Sequence, residues 1–268
     1  MSTARYVRRS GSTRGRCRLR ASLGLLALAA ALLCIQAVVQ AADCPPLREP
    51  RIPPIPGPVD PVDPVNINKV KSQLNDYHAG NYDYDVAAVL SDARIYVERR
   101  LKEPVTRPAV VLDIDETSLS NWPNLKGADF GFFKNIDCDA LAIERPCGFN
   151  NWVLLAQAPA IPWTRDFFND VLAKGVAVFF VTGRTKSQRA KTVENLEKAE
   201  FKGWTKLVTR PEEDKEKSIV PFKSRARAKI EREDKVTIIA NVGDQRSDLE
   251  GGHAECTFKV PNPFYFIP

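Results

Sequence analysis

From about residue 67 onward, apolar positions switch repeatedly between a helical period and short unbroken runs. Residues 69–79 and 84–101 read as two helices separated by a Gly80-Asn81 turn. The second carries Val86, Val89, Leu90, Ala93 and Val97 on one face. Residues 109–112 read as a strand, and 163–173 as a helix closed by Gly175. The run 176–181 is wholly apolar, as expected of a strand covered on both faces of a parallel sheet. Thr185-Lys-Ser-Gln188 has the form of a capping box for a helix reaching about Glu200. Residues 207–209, 236–240 and 256–260 complete the strands, with a charged helix over 223–232. This alternation predicts an α/β domain: a Rossmann-like, mainly parallel sheet with helices on both faces. Its ligand site should lie at the carboxyl ends of the strands. Residues 119–162 break the rhythm. They are long, loop-like and aromatic (Trp122, Phe130, Phe132, Phe133, Phe149, Trp152) and read as a small cap over the site.

The formal charge of +6 changes meaning once it is located. Residues 1–42 hold seven arginines and no acid, so the remainder carries 32 basic and 33 acidic residues. An arginine-rich start followed by the apolar run 23–35, with small residues at Ala41 and Ala42, reads as a cleaved secretory signal over 1–42. An uncleaved anchor is the alternative, since 21–42 nearly suffices to span a bilayer. Lipidation at Cys34 or Cys44 is disfavoured by the Leu33 and Asp43 that precede them. The expected location is exported, periplasmic or extracellular. The near-neutral remainder gives no reason to expect nucleic-acid or stable membrane partners.

Nine prolines between Pro45 and Pro64 make 43–66 an extended linker, with order expected to begin near Asn66. The domain is then 67–268. Cys44, Cys138, Cys147 and Cys256 allow up to two disulfides in three connectivities, Cys138–Cys147 being preferred because the pair flanks a short loop. No CxxC pair with a nearby histidine points to zinc.

Four short motifs fall at strand ends or helix starts. Asp113-Ile-Asp115-Glu-Thr delivers two carboxylates two positions apart, able to converge on one substrate or cation. Val181-Thr182-Gly183-Arg184 offers a hydroxyl and backbone N–H groups suited to a phosphate oxygen. Lys223 follows Pro221 at a helix head, and Asn241-Val-Gly-Asp244-Gln-Arg-Ser-Asp248 adds two acids after a strand. Taken singly, each also reads as an ordinary turn or a solvated charge.

In this order the motifs resemble those of the haloacid dehalogenase-like (HAD-like) phosphohydrolases. The wording of 113–121, of 243–249 and of Phe258-Lys-Val-Pro-Asn-Pro-Phe-Tyr-Phe-Ile267 is similar to one branch: plant acid phosphatases and vegetative storage proteins, with bacterial secreted and lipoprotein acid phosphatases (subfamily IIIB). The resemblance covers roughly residues 67–268. It departs at Arg246, where relatives often carry tryptophan, a change assigned to the rim of the site. Some storage members lack the nucleophilic aspartate; this chain keeps it.

The resemblance implies that Asp113 attacks phosphorus to give an aspartyl-phosphate, and that Asp115 protonates the leaving group and then deprotonates water. It implies Thr182, Gly183 and Lys223 as phosphate-binding residues. A Mg²⁺ cofactor would be held by Asp113, Asp115 (through its carbonyl) and Asp244, with Asp248 acting through water or by orienting Lys223. The partner is then a small-molecule phosphomonoester, 5′-nucleotides being suggested by the cap aromatics. A non-catalytic phosphate-ester-binding or storage protein of the same fold is the alternative, and phosphoryl transfer to an alcohol is a third reading. The cap and first helices could support a homo-oligomer. No Arg-His-Gly, P-loop or Gly-x-Ser-x-Gly sequence is present, so the chain fits those classes poorly.

Overall fold

A computed structural model describes residues 44–52, 65–136, 139–140, 147–214 and 216–267. The expected signal segment and most of the proline-rich stretch lie outside the described residues. Among those described, no helix is long and apolar enough to cross a membrane.

Two helices come first, α1 (Ile67–Ala79) and α2 (Tyr82–Arg100). Asn66 caps α1 by accepting the N–H of Asn68. Strand β1 (Pro108–Leu112) leads into the insertion, which is partly helical: α3 (Trp122–Gly127) and α4 (Phe149–Leu155). Then follow α5 (Pro162–Ala173), β2 (Ala177–Thr185), α6 (Arg189–Lys198), β3 (Lys206–Arg210) and α7 (Val220–Asp234). The chain closes with β4 (Thr237–Gly243), α8 (Arg246–Leu249) and β5 (Cys256–Lys259). Proline stands in the first turn of α5 and of α7, where its missing N–H costs nothing. That is why α7 starts before the expected Lys223.

The five strands are ordered β3-β2-β1-β4-β5 and every pair is parallel. Alternate residues of β1 face opposite layers: Val110 and Leu112 join a core with residues of α2 and α5, while Ala109 and Val111 join one with Phe222, Ala226 and Ile230 of α7. Helices on both faces, as expected, force the strands to be apolar throughout.

The order reverses at β1, so the crevice for a ligand opens beyond the ends of β1 and β4. Two irregularities interrupt the ladders, the first at that carboxyl end of the sheet and the second near the amino ends of β1 and β4. Thr182 pairs with Thr209 and Thr185 with Arg210, so Gly183 and Arg184 bulge out of the β2–β3 ladder. Opposite β1, Ile239 is the extra residue between Ile238 and Ala240.

Order begins earlier than expected. Residues 44–52 lie against the domain, because Cys44 is disulfide-bonded to Cys256 and Arg51 pairs with Asp85. Asp85 Oδ2 accepts the Arg51 backbone N–H at 2.6 Å and the Tyr77 hydroxyl at 2.8 Å. Proline density misled here: a covalent tie across 212 residues outweighs local composition. Cys147 is also disulfide-bonded, and Cys138, its preferred partner, lies outside the described residues.

Closing so long a loop removes much entropy from the unfolded chain. Cys44→Ser should therefore lower stability by about 2–4 kcal/mol. Urea unfolding followed by circular dichroism checks this; an unchanged midpoint would show that the bond constrains nothing.

Candidate active site

The end of β1 turns sharply. The Ile114 carbonyl accepts the N–H groups of Thr117, Ser118 and Leu119, and Ser118 Oγ donates to the Asp113 carbonyl at 2.6 Å. Glu116 stands at φ 52°, a left-handed conformation that a non-glycine residue enters at some cost. Its buried carboxylate accepts the Asn121 N–H at 2.5 Å, Asn121 Nδ2 at 2.9 Å and the Tyr265 hydroxyl at 3.0 Å. Those bonds hold the turn open, so Asp113 and Asp115 both face one cavity of about 360 Å³.

The same cavity is lined by Gly183, Arg184, Lys223, Asp244 and Asp248. One carboxylate oxygen from each of Asp113, Asp244 and Asp248 lies within 4.8 Å of the others, and all three residues are buried. Lys223, itself buried, donates to Asp113 Oδ1 and Asp248 Oδ1, each at 2.5 Å. Asp244 accepts Thr117 Oγ1 at 3.2 Å, and Gln245 Nε2 and Asn262 Nδ2 each at 2.7 Å. Gly243 is required for this packing, since a Cβ there would meet Asp248 Cβ at 2.4 Å. Asp248 Oδ2 in turn accepts the Gln245 N–H at 2.8 Å.

The expected groups therefore meet, with one exception. Thr182 Oγ1 accepts the Arg184 N–H at 3.1 Å and does not line the cavity, so Gly183 alone of that pair faces it. Arg184, a bystander in the sequence, is fully buried and forks onto Asp115, with Nη2 at 2.8 Å and Nε at 3.1 Å from Oδ1. Asn121 Nδ2 reaches the same oxygen at 2.9 Å. Glu116, Asn121 and Asn262 were likewise unassigned. Glu116 and Asn121 lie in the run 113–121 and Asn262 in the run 258–267, so the resemblance marked their segments without marking a role.

The aromatic residues of the insertion divide. Phe132, Phe133 and Phe149 line the cavity with Phe266 of the chain end. Trp152 instead donates Nε1 to Asn121 Oδ1 at 2.8 Å. Trp122 stacks on His78 with centroids 3.6 Å apart, and Phe130 packs on Trp122.

Electrostatics at this end of the sheet are unbalanced. Asp113, Asp115, Glu116, Asp244 and Asp248 have two cations in direct ion pairs, Lys223 and Arg184, with Lys259 and Arg227 acting on Asp244 and Asp248 from farther away. At an effective dielectric of 20, two carboxylates at such spacing repel by roughly 3–4 kcal/mol. Burial, with Asp248, Asp244 and Asp115 adding to it and Lys223 opposing, holds Asp113 well above the usual carboxylate range. Burial and then Asp248 push Asp244 up to about 7, and burial and Asp115 push Glu116 up to about 8. Burial pulls Lys223 down, but Asp113 and Asp248 outweigh it, so the lysine stays charged above its ordinary value. An all-oxygen donor set short of positive charge is what a hard divalent cation fits.

The sequence pattern of the HAD superfamily, subfamily IIIB (acid phosphatase), matches residues 60–268. The soybean (Glycine max) stem 28 kDa glycoprotein is 34% identical over 193 residues, covering 71% of each chain. Acid phosphatase 1 of Solanum lycopersicum is 33% identical over 196 residues, covering 72% of this chain and 73% of its own. Vegetative storage protein 1 of Arabidopsis thaliana is 27% identical, over 74% of this chain and 70% of its own. Among solved structures, the class C acid phosphatase of Bacillus anthracis superposes with a TM-score of 0.58 at 21% identity, covering 74% of this chain and 85% of that one. That likeness supports the fold, while the sequence matches carry the assignment: the chain belongs to the subfamily IIIB acid phosphatases of the HAD superfamily.

Proposed function

We propose that this acid phosphatase is an exported, Mg²⁺-dependent phosphomonoesterase in which Asp113 is the nucleophile. One observation carries the reading: three buried carboxylates converge within 4.8 Å, and Lys223 bridges two of them. Asp113, Asp244 and Asp248, with the Asp115 carbonyl, would hold the cation. When bound, Mg²⁺ supplies the positive charge that lets an anionic nucleophile approach an anionic phosphoryl group.

The chain's own residues do the rest. Asp113 forms an O–P bond as the ester C–O–P oxygen departs, leaving an acyl phosphate on its carboxylate. Asp115 gives that departing oxygen a proton, then takes one from the water that cleaves the acyl phosphate and regenerates Asp113. Arg184 and Asn121 hold the Asp115 carboxylate at the cavity wall through both transfers. Lys223 and the Gly183 N–H neutralise and orient the phosphoryl oxygens, so geometry is fixed before reaction. A class C acid phosphatase of this fold has been crystallised with tungstate, a tetrahedral oxyanion of similar demand.

Phe132, Phe133, Phe149 and Phe266 supply flat apolar surface around the cavity. That supports leaving groups with a planar ring, 5′-nucleotides among them. Export is supported by the Cys44–Cys256 disulfide, a bond that persists in oxidising compartments. Vegetative storage protein relatives motivate a binding-only reading, against which the complete acid and lysine cluster stands.

Asp113→Asn should keep the fold and lower turnover of p-nitrophenyl phosphate by about 10³-fold or more. Near-normal turnover would remove Asp113 as nucleophile. Chelation should abolish activity, and added Mg²⁺ should restore it. Below about pH 7, the metal-free Asp244 carries a proton that the cation must displace. The Mg²⁺ concentration giving half-maximal activity should therefore rise as pH falls from 7.5 to 5.5; a flat dependence would contradict the site.

A further inference from the structure

The run 258–267 resembles that of relatives, yet the proposed function uses only Phe266 of it. It leaves β5, and Tyr265, Phe266 and Ile267 then form one wall of the cavity. Its start is pinned to the sheet where the Val260 N–H donates to the Gly243 carbonyl at 3.0 Å.

Asn262 stands between Pro261 and Pro263. The rings fix φ at 261 and 263, and a residue before proline is driven to extended backbone, so this stretch has little freedom to lose. The side-chain amide is oriented by the tail itself. Its Oδ1 accepts the Phe264 N–H at 2.9 Å, which commits Nδ2 to Asp244 Oδ2 at 2.7 Å. Aspartate would keep the first bond and lose the second; an apolar residue would lose both.

Three residues on, the Tyr265 hydroxyl donates to Glu116 Oε2 at 3.0 Å. Asn121 Nδ2 links that same oxygen to Asp115 Oδ1, at 2.9 Å on either side. The tail thus touches Asp244 after β4 and Glu116 after β1 directly, and reaches Asp115 through Glu116 and Asn121.

We infer that the C-terminal tail belongs to the metal-binding apparatus, with Asn262 a positioning residue that aims the Asp244 carboxylate. The terminal torsion of an aspartate is broad and roughly two-fold, so an unrestrained carboxylate samples orientations that do not ligate. A donor fixed by two prolines removes that freedom and holds the carboxylate for a cation. The inference rests on the proposed cation site at Asp113, Asp244 and Asp248.

The test is calorimetric titration of chelator-stripped protein with MgCl₂, for wild type, Asn262→Ala and Asn262→Ser. Serine retains an oxygen able to accept the Phe264 N–H two residues on, so the tail keeps its turn, but it is too short to reach Asp244. Both variants should bind Mg²⁺ about 10-fold more weakly, the low end of such effects because Gln245 still donates to Asp244. Their phosphatase activity should recover as Mg²⁺ is raised, which a merely misfolded variant would not do. If alanine prevents folding, the serine variant alone decides. Folded Asn262→Ser binding Mg²⁺ within about 2-fold of wild type would overturn the inference. Wild type that binds no Mg²⁺ would instead overturn the cation site on which it rests.

Discussion

Buried negative charge is the constraint to which the rest of this fold answers. Strands β1 and β4 are each followed at once by an acid, and the reversal of strand order at β1 brings those ends side by side. At the end of a sheet covered on both faces, such groups meet water only through the cavity they line. Each carboxylate must then be met by a donor, a lysine or a cation. The structure supplies the donors in detail: Thr117, Gln245 and Asn262 on Asp244, Arg184 and Asn121 on Asp115, and Lys223 shared by Asp113 and Asp248. What these leave unmet is positive charge, and that deficit is also what a reaction between two anions requires.

The framework around the acids exists to keep them there. The left-handed Glu116 turn, the bulge at Gly183 and Arg184, and the close approach of Asp248 to Gly243 are each locally unfavourable or demanding. All three sit at the carboxyl end of the sheet, whereas the regular pairing of β1 with β2 and the two apolar cores lie behind them. Left-handed residues also occur elsewhere, at Arg107, Glu200 and Lys235 for example, but these three features aim the site's side chains.

Much of this was legible in the sequence, because the signals were local. Unbroken apolar runs marked the strands, and the acids directly following them had to fall at the sheet's end. The motif containing Thr182 was found for the same reason, although its hydroxyl serves the turn and Gly183 faces the cavity. Residues whose partners are distant were not legible. Arg184 meets Asp115 across 69 positions and Tyr265 meets Glu116 across 149, with no periodicity to announce either. The segment 44–52 read as linker because its prolines were visible while its tie to Cys256 was not. The insertion's two short helices lack the length at which a helical period shows, so it read as loop.

The central proposition is that Asp113 takes up the phosphoryl group once the surplus charge around it is offset. Rapid acid quenching of turnover, followed by peptide mass mapping, observes that event directly. The mass of one phosphoryl group should appear on the peptide carrying Asp113 when Mg²⁺ is present and vanish when it is chelated. Steady turnover with no such label, or with the label on another residue, would contradict it.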